Sequence, residues 1–176
     1  MNTYIALFRS INVGGKNILP MKKLIGILEE MGYKNVMTYI QSGNVVFQSI
    51  KKCTKNTAKD ISAKILECHG FEPKVLLLEK SELQNSVDNN PFKSKTGKTL
   101  HFFFLESRPQ KPDLEKLLAV KSKSEEFELV KNVFYLYAPD GIGRSALASN
   151  VEKCLGVPVT ARNWNTVSKL ITMVKQ

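Results

Sequence analysis

The chain is poor in the residues that most often announce chemistry. Its three cysteines, Cys53, Cys68 and Cys154, are odd in number, widely spaced and form no CxxC pair. That spacing argues against a disulfide framework or a structural zinc site, and for reduced thiols in a cytoplasmic setting. Only two histidines occur. His69 directly follows Cys68 on a predicted helix end, so their side chains diverge and do not chelate. His101 alternates with Phe102 in an apolar strand and reads as a half-buried sheet histidine. With no HExxH, no GxSxG and no Cys or His cluster, zinc and acyl-transfer chemistries have no support. No metal and no cofactor are expected. The carboxylate pairs Glu29-Glu30 and Glu125-Glu126 read as solvated charges.

Long apolar runs are missing as well. None approaches the roughly 20 residues that span a bilayer. Arg9 and Asn12 interrupt the only stretch resembling a secretory h-region, so neither a signal peptide nor a membrane partner is expected. Arginine is scarce, with 4 against 22 lysines. Arginine's planar fork suits phosphate and carboxylate better than lysine does. Three of the four, Arg9, Arg144 and Arg162, lie beside Gly, Asn or Ser in segments read as loops.

What the chain does have is positive charge. The net charge is +10 over 176 residues, and both halves share the excess, so there is no basic tail. Scattered lysine mostly serves solubility. The composition, with 43% apolar and 24% charged residues, is that of an ordinary globular protein. Its length leaves room for one domain or two small subdomains.

Periodicity gives the order of elements. Thr3–Phe8 reads as a buried strand ending in a polar loop, Ser10 to Asn17. Pro20 suits the first position of a helix carrying Met21, Leu24, Ile25, Leu28 and Met31, stopped by Gly32. Asn35–Ile40 and Val45–Gln48 are strands joined around Ser42-Gly43-Asn44. Thr57 and Asp60 form a candidate capping box for a helix with Ile61, Ile65 and Cys68 inward, ended by Gly70. Val75–Leu78 is a fourth strand, and a short helix follows with Ser81 and Gln84 as a capping pair. Residues 89–98 (NNPFKSKTGK) are the best linker candidate. The pattern then restarts: strand Thr99–Leu105, helix Asp113–Val120, a hairpin of Glu126–Val130 with Val133–Tyr137, a helix capped by Ser145 and ended by Gly156, strand Val157–Thr160, and a last helix from about Asn165 to Val174. The expected architecture is α+β: two ferredoxin-like βαββαβ subdomains with antiparallel sheets, at 1–88 and 99–176, the second followed by a C-terminal helix.

Four segments carry a family resemblance: FRSINVGGKNILPM (Phe8–Met21), TYIQSGNVVF (Thr38–Phe47), YAPDGIGRS (Tyr137–Ser145) and ARNWNTVSKL (Ala161–Leu170). Together, in order and spacing, they resemble the bacterial proteins grouped as domain-of-unknown-function family 1697. The resemblance runs end to end. It implies a compact α+β protein of two ferredoxin-like subdomains, and no established activity. Ser10 departs from the family's R-G-I-N-V-G-G run, so a Cβ is tolerated there, against any need for backbone to touch a ligand at that position.

The same segments supply the candidate site. Gly14-Gly15-Lys16-Asn17 fails the P-loop pattern, since Ser10 and Asn17 stand where Gly and Ser or Thr are required. Two readings of it stand: a backbone nest that holds an anion with Lys16, or a βα connection whose glycines supply positive φ. Gln41 is not required by turn chemistry. Asn163 or Asn165 can cap the last helix. Trp164 reads as a core or interface anchor before a base-stacking platform. Arg144 stands near a helix N-terminus, unfavourable for a cation unless an anion joins it. The third strand lacks the RNP pattern of an RNA-recognition module, so sequence-specific RNA reading is not expected.

These residues point to a site for a phosphate- or carboxylate-bearing ligand, nucleic acid included. Arg9, Lys16 and Arg162 would neutralise the anion, Asn12, Gln41, Asn44 and Asn163 would orient it, and Arg144 is a further ligand-binding candidate. A metal-free small-molecule enzyme or metabolite sensor is the alternative, and motifs that only hold the fold together are a third.

Overall fold

Two apolar runs organise the molecule. Strand β1 (Asn2–Arg9) is buried on both faces from Tyr4 to Phe8, and β5 (Leu100–Leu105) along its whole length. That is why both read as continuous hydrophobic stretches and not as alternating ones. In the computed structural model, which describes residues 1–176, the chain divides into two units. One comprises Met1–Asn85 with Lys169–Gln176, the other Ser86–Ser168.

In the first unit, β1 is followed by α1 (Met21–Glu30), β2 (Lys34–Tyr39), β3 (Asn44–Ser49), α2 (Lys55–His69) and β4 (Lys74–Glu79). The four strands form an antiparallel sheet in the order β2-β3-β1-β4. Tyr4, Ala6 and Phe8 of β1 and Val45 and Phe47 of β3 share a core with Leu24, Ile27 and Leu28 of α1 and Ile61 and Ile65 of α2. Both helices therefore lie on one face of the sheet. The buried Tyr4 hydroxyl accepts a hydrogen bond from the Cys53 amide at 3.1 Å. Tyr4→Phe would leave that amide unpaired, and an equilibrium urea titration should register a loss of about 1 kcal/mol.

Helix α3 (Lys80–Asp88) crosses from the first unit into the second. There β5 is followed by α4 (Leu114–Val120), β6 (Glu126–Val130), β7 (Val133–Tyr137), α5 (Ala146–Leu155), β8 (Val159–Asn163) and the start of α6 (Trp164–Met173), whose residues from Lys169 on belong to the first unit. The sheet order is β6-β7-β5-β8, again antiparallel throughout. Phe103 and Leu105 of β5 and Phe134 and Leu136 of β7 pack with Leu117 of α4 and Leu147, Val151 and Leu155 of α5. The fold is thus mixed α/β, with two four-stranded antiparallel sheets and six α-helices.

Several ends differ from the sequence expectation. Pro20 is the N-cap of α1 and not its first residue. The capping box of α2 is Thr54 with Thr57, one turn earlier than Thr57 with Asp60. Ser81 already lies inside α3, and Glu82 accepts from the Glu79 amide at 2.7 Å. Strand β8 extends through Arg162 and Asn163, because Ala161, Arg162 and Asn163 pair with Phe103, Phe102 and His101 of β5. Strand partners rather than local polarity decide that end. Residues 89–98 fold into turns: the Phe92 amide donates to the Asn90 side chain at 3.0 Å, and Lys95 lies 4.4 Å above the Tyr137 ring.

His101 is buried on β5, and its Nε2 has no hydrogen-bond partner. Burial holds its imidazolium pKa below the ordinary value, partly offset by a hydrogen bond that the ring donates to the Lys98 backbone. Above the unfolded pKa of about 6.5 both states are neutral at this position. As pH falls below that value, the unfolded chain takes up a proton that the folded chain refuses, so stability declines. His101→Leu should flatten this part of the stability profile between about pH 6.5 and 5, measured by urea midpoints.

Candidate anion-binding site

The loop after β1 folds as a miniature hairpin. The Asn12 amide donates to the Asn17 carbonyl at 3.1 Å, and the Lys16 amide to the Val13 carbonyl at 3.0 Å. Gly14 and Gly15 close it with φ of 57° and 71°. Two positive φ values in a two-residue connection fit a type I′ turn, where glycine avoids the Cβ clash. Ser10, Asn12 and Asn17 are also left-handed, at 62°, 52° and 52°. Asparagine tolerates that region; serine less so. The glycine that the family pattern has at Ser10 is therefore explained by backbone conformation.

Asn12 holds this loop to the rest of the unit. Its Nδ2 donates to the carbonyls of Leu19 (2.9 Å) and Gln41 (2.8 Å), and its Oδ1 accepts from the Leu19 amide at 2.8 Å. Asn17 Nδ2 donates to the Ser10 carbonyl at 2.8 Å. The turn between β2 and β3 is pinned by other contacts. The Phe8 amide donates to the Gly43 carbonyl at 2.8 Å. The buried Asn44 donates from Nδ2 to the Tyr39 carbonyl and to Ser42 Oγ, at 3.1 and 2.9 Å.

Of the amides proposed from sequence as ligand-orienting groups, Asn12 and Asn44 thus bond within the protein. The structure brings Asn12 and Gln41 together through the Gln41 carbonyl and leaves the Gln41 side chain exposed. Lys16 is exposed beside the turn. Arg9 is half-buried at the end of β1, opposite Lys74 of β4, and is engaged by other groups of the protein.

The other candidates belong to the second unit. Arg144 is exposed in a 3₁₀ turn (Ile142–Arg144) directly before Ser145, whose hydroxyl caps α5 by accepting from the Ala148 amide at 2.9 Å. Arg162 lies in β8, not in a loop, and its Nη1 donates to the Ala161 carbonyl at 2.8 Å. Asn163 Oδ1 accepts from the Thr166 amide at 3.1 Å and so caps α6. Trp164 packs with its ring centroid 5.8 Å from Phe102, as a packing anchor would.

The segment that carries the first unit's loop is free of acidic side chains. No Asp or Glu occurs before Glu29, while Arg9, Lys16, Lys22 and Lys23 do. Pro20 offers α1 no side-chain cap, and the first turn contains no acid. Burial pushes the Cys53 thiol up, away from the thiolate. No three His, Cys, Asp or Glu side chains approach closely enough to hold a metal ion.

Sequence reasoning missed the apolar part of this surface. Val13, Ile18 and Ile40 are 64%, 58% and 52% exposed on the same two connections. Ile40 also has φ of 51°, a backbone region that β-branched residues rarely occupy. Nothing local in the sequence marks an isoleucine as exposed.

No curated protein matches the chain. A solved conserved bacterial protein from Streptococcus pneumoniae is similar to it at 25% identity and a TM-score of 0.74, over 100% of this chain and 99% of that one. The match extends the likeness through both units. Residues 1–135 match the model of DUF1697, described as a protein of unknown function, and the chain belongs to that family.

Proposed function

We propose that the first unit presents a recognition surface for a phosphate- or carboxylate-bearing ligand, with nucleic acid among the candidates. The observation that carries this reading is the hairpin Asn12–Asn17. Its inward amides hold it in one shape, while Lys16 and the Gln41 side chain stay exposed in an acid-free stretch. A cation held in a fixed place has less entropy to lose on binding than one on a mobile loop. Arg9 reinforces the positive potential from the end of β1. Arg144 and Arg162 are proposed as a second cationic group on the other unit, with Arg144 the more accessible. The strand orders β2-β3-β1-β4 and β6-β7-β5-β8, with helices on one sheet face, support reading each unit as ferredoxin-like, near residues 1–88 and 99–176 with 89–98 as connection. Three free cysteines suit a reducing cytoplasmic setting.

Fluorescence anisotropy of labelled single- and double-stranded oligonucleotides tests the reading, with inorganic phosphate as competitor. Lys16→Ala should weaken binding about three- to tenfold at near-physiological salt and lower the salt slope by about one. Equal loss for every variant on adding salt would assign binding to the diffuse lysine charge. A hydrogen-bonding observation favours the structural role for part of the set: Asn12, Asn44 and Asn163 hold turns and a cap.

A further inference from the structure

Three exposed aliphatic side chains stand beside the cations of the first unit, and the anion reading does not use them. Val13 pairs with Lys16 across the Gly14-Gly15 turn, Ile18 follows two residues later, and Ile40 precedes Gln41, whose carbonyl Asn12 binds. Asn12 therefore ties the two connections together, and Ile18 and Ile40, next to the tied positions, and Val13, beside the turn, leave apolar groups in solvent. Scattered single aliphatics need no explanation, but three on one small acid-free loop pair form a patch.

We infer that this surface docks on an anionic bilayer surface, with Lys16 on lipid phosphates and Val13, Ile18 and Ile40 among the upper acyl chains. The inference rests on the anion reading and names the source of the phosphate. Charge complementarity selects an anionic partner. Side-chain type selects lipid over nucleic acid: base stacking uses aromatic faces, and the exposed large apolar residues here are aliphatic. Interfacial binding combines such groups with lysine. No helix is long and apolar enough to cross a membrane; the sequence expectation of no membrane partner rests on the lack of a spanning or signal run, which adsorption does not need.

The test is flotation of the full chain with phosphatidylcholine vesicles, with and without phosphatidylglycerol, at near-physiological salt. Three proteins are compared: the parent, Val13→Ser with Ile18→Ser, and Ile40→Asn. The asparagine suits the positive φ at position 40, so that variant keeps the fold while losing the aliphatic group. Binding confined to phosphatidylglycerol vesicles, and reduced about tenfold in the double variant and severalfold in Ile40→Asn, is expected. Vesicle binding unchanged in both variants overturns the lipid inference and leaves the anion reading standing. Oligonucleotide binding without vesicle binding does the same. Failure on vesicles, oligonucleotides and inorganic phosphate alike overturns both.

Discussion

Gly43→Ala should be among the most damaging single substitutions in the first unit, by about 3–5 kcal/mol. Two independent penalties meet there. Gly43 has φ of 76°, which an L side chain rarely adopts. A Cβ built on it would stand 2.5 Å from Phe8 Cβ and 2.7 Å from Ile11 Cδ1, both side chains buried in the core. The Phe8 amide also donates to the Gly43 carbonyl at 2.8 Å, so the turn cannot move away without breaking that bond. Gly14→Ala is the control. It has comparable φ, 57°, but nothing within 4 Å of the added methyl, so it should cost about 1 kcal/mol. Equilibrium urea unfolding compares the two directly. A Tm lower by roughly 10 °C or more is expected for Gly43→Ala in a chain of this size. Equal losses for both variants would show that crowding at Phe8 and Ile11 plays no part.

Asn12→Ala is expected to cost about 2–4 kcal/mol and to weaken anion binding although the side chain points inward. The substitution removes three hydrogen bonds, to Leu19 amide, Leu19 carbonyl and Gln41 carbonyl. The Leu19 side chain is fully buried, so its backbone has little water to turn to. Alanine also tolerates φ of 52° less well than asparagine. Asn17→Ala meets the same φ penalty but removes only one bond, from an exposed carbonyl, and should cost about 1–2 kcal/mol. Hydrogen exchange at the Leu19 amide reads the mechanism: protection should fall sharply in Asn12→Ala and little in Asn17→Ala. If protection persists in Asn12→Ala, the loop is held by its glycine turn and not by the asparagine.

These two positions show what a sequence can and cannot say about this fold. Gly43 is legible as turn chemistry, and so are the caps Ser145 and Gly70, because caps and turns depend on neighbours within a few residues. Their partners are not legible. That Gly43 abuts Phe8 across 35 positions, or that Asn12 reaches Gln41, follows only from β1 lying against β3 in the register Leu7 opposite Asn44. The candidate site suffered most from this. Polarity at a strand end suggests a residue that faces a ligand, yet Asn12, Asn44 and Asn163 bond groups of their own turns and caps, since each turn must satisfy its own buried amides and carbonyls.

What the sequence determined by itself is the order of the elements and their apolar faces. Periods of two and 3.6 residues, with glycine at Gly70 and Gly156 ending helices, act over short distances and need no knowledge of the rest. Tertiary structure decided the remainder. It set the sheet orders, the extension of β8 through Arg162 by pairing with β5, and the burial of His101 without a partner for Nε2. It also left Val13, Ile18 and Ile40 outside the core. Each of these depends on which distant strand occupies a neighbouring position, and pairing energy between strands is not written in either strand alone.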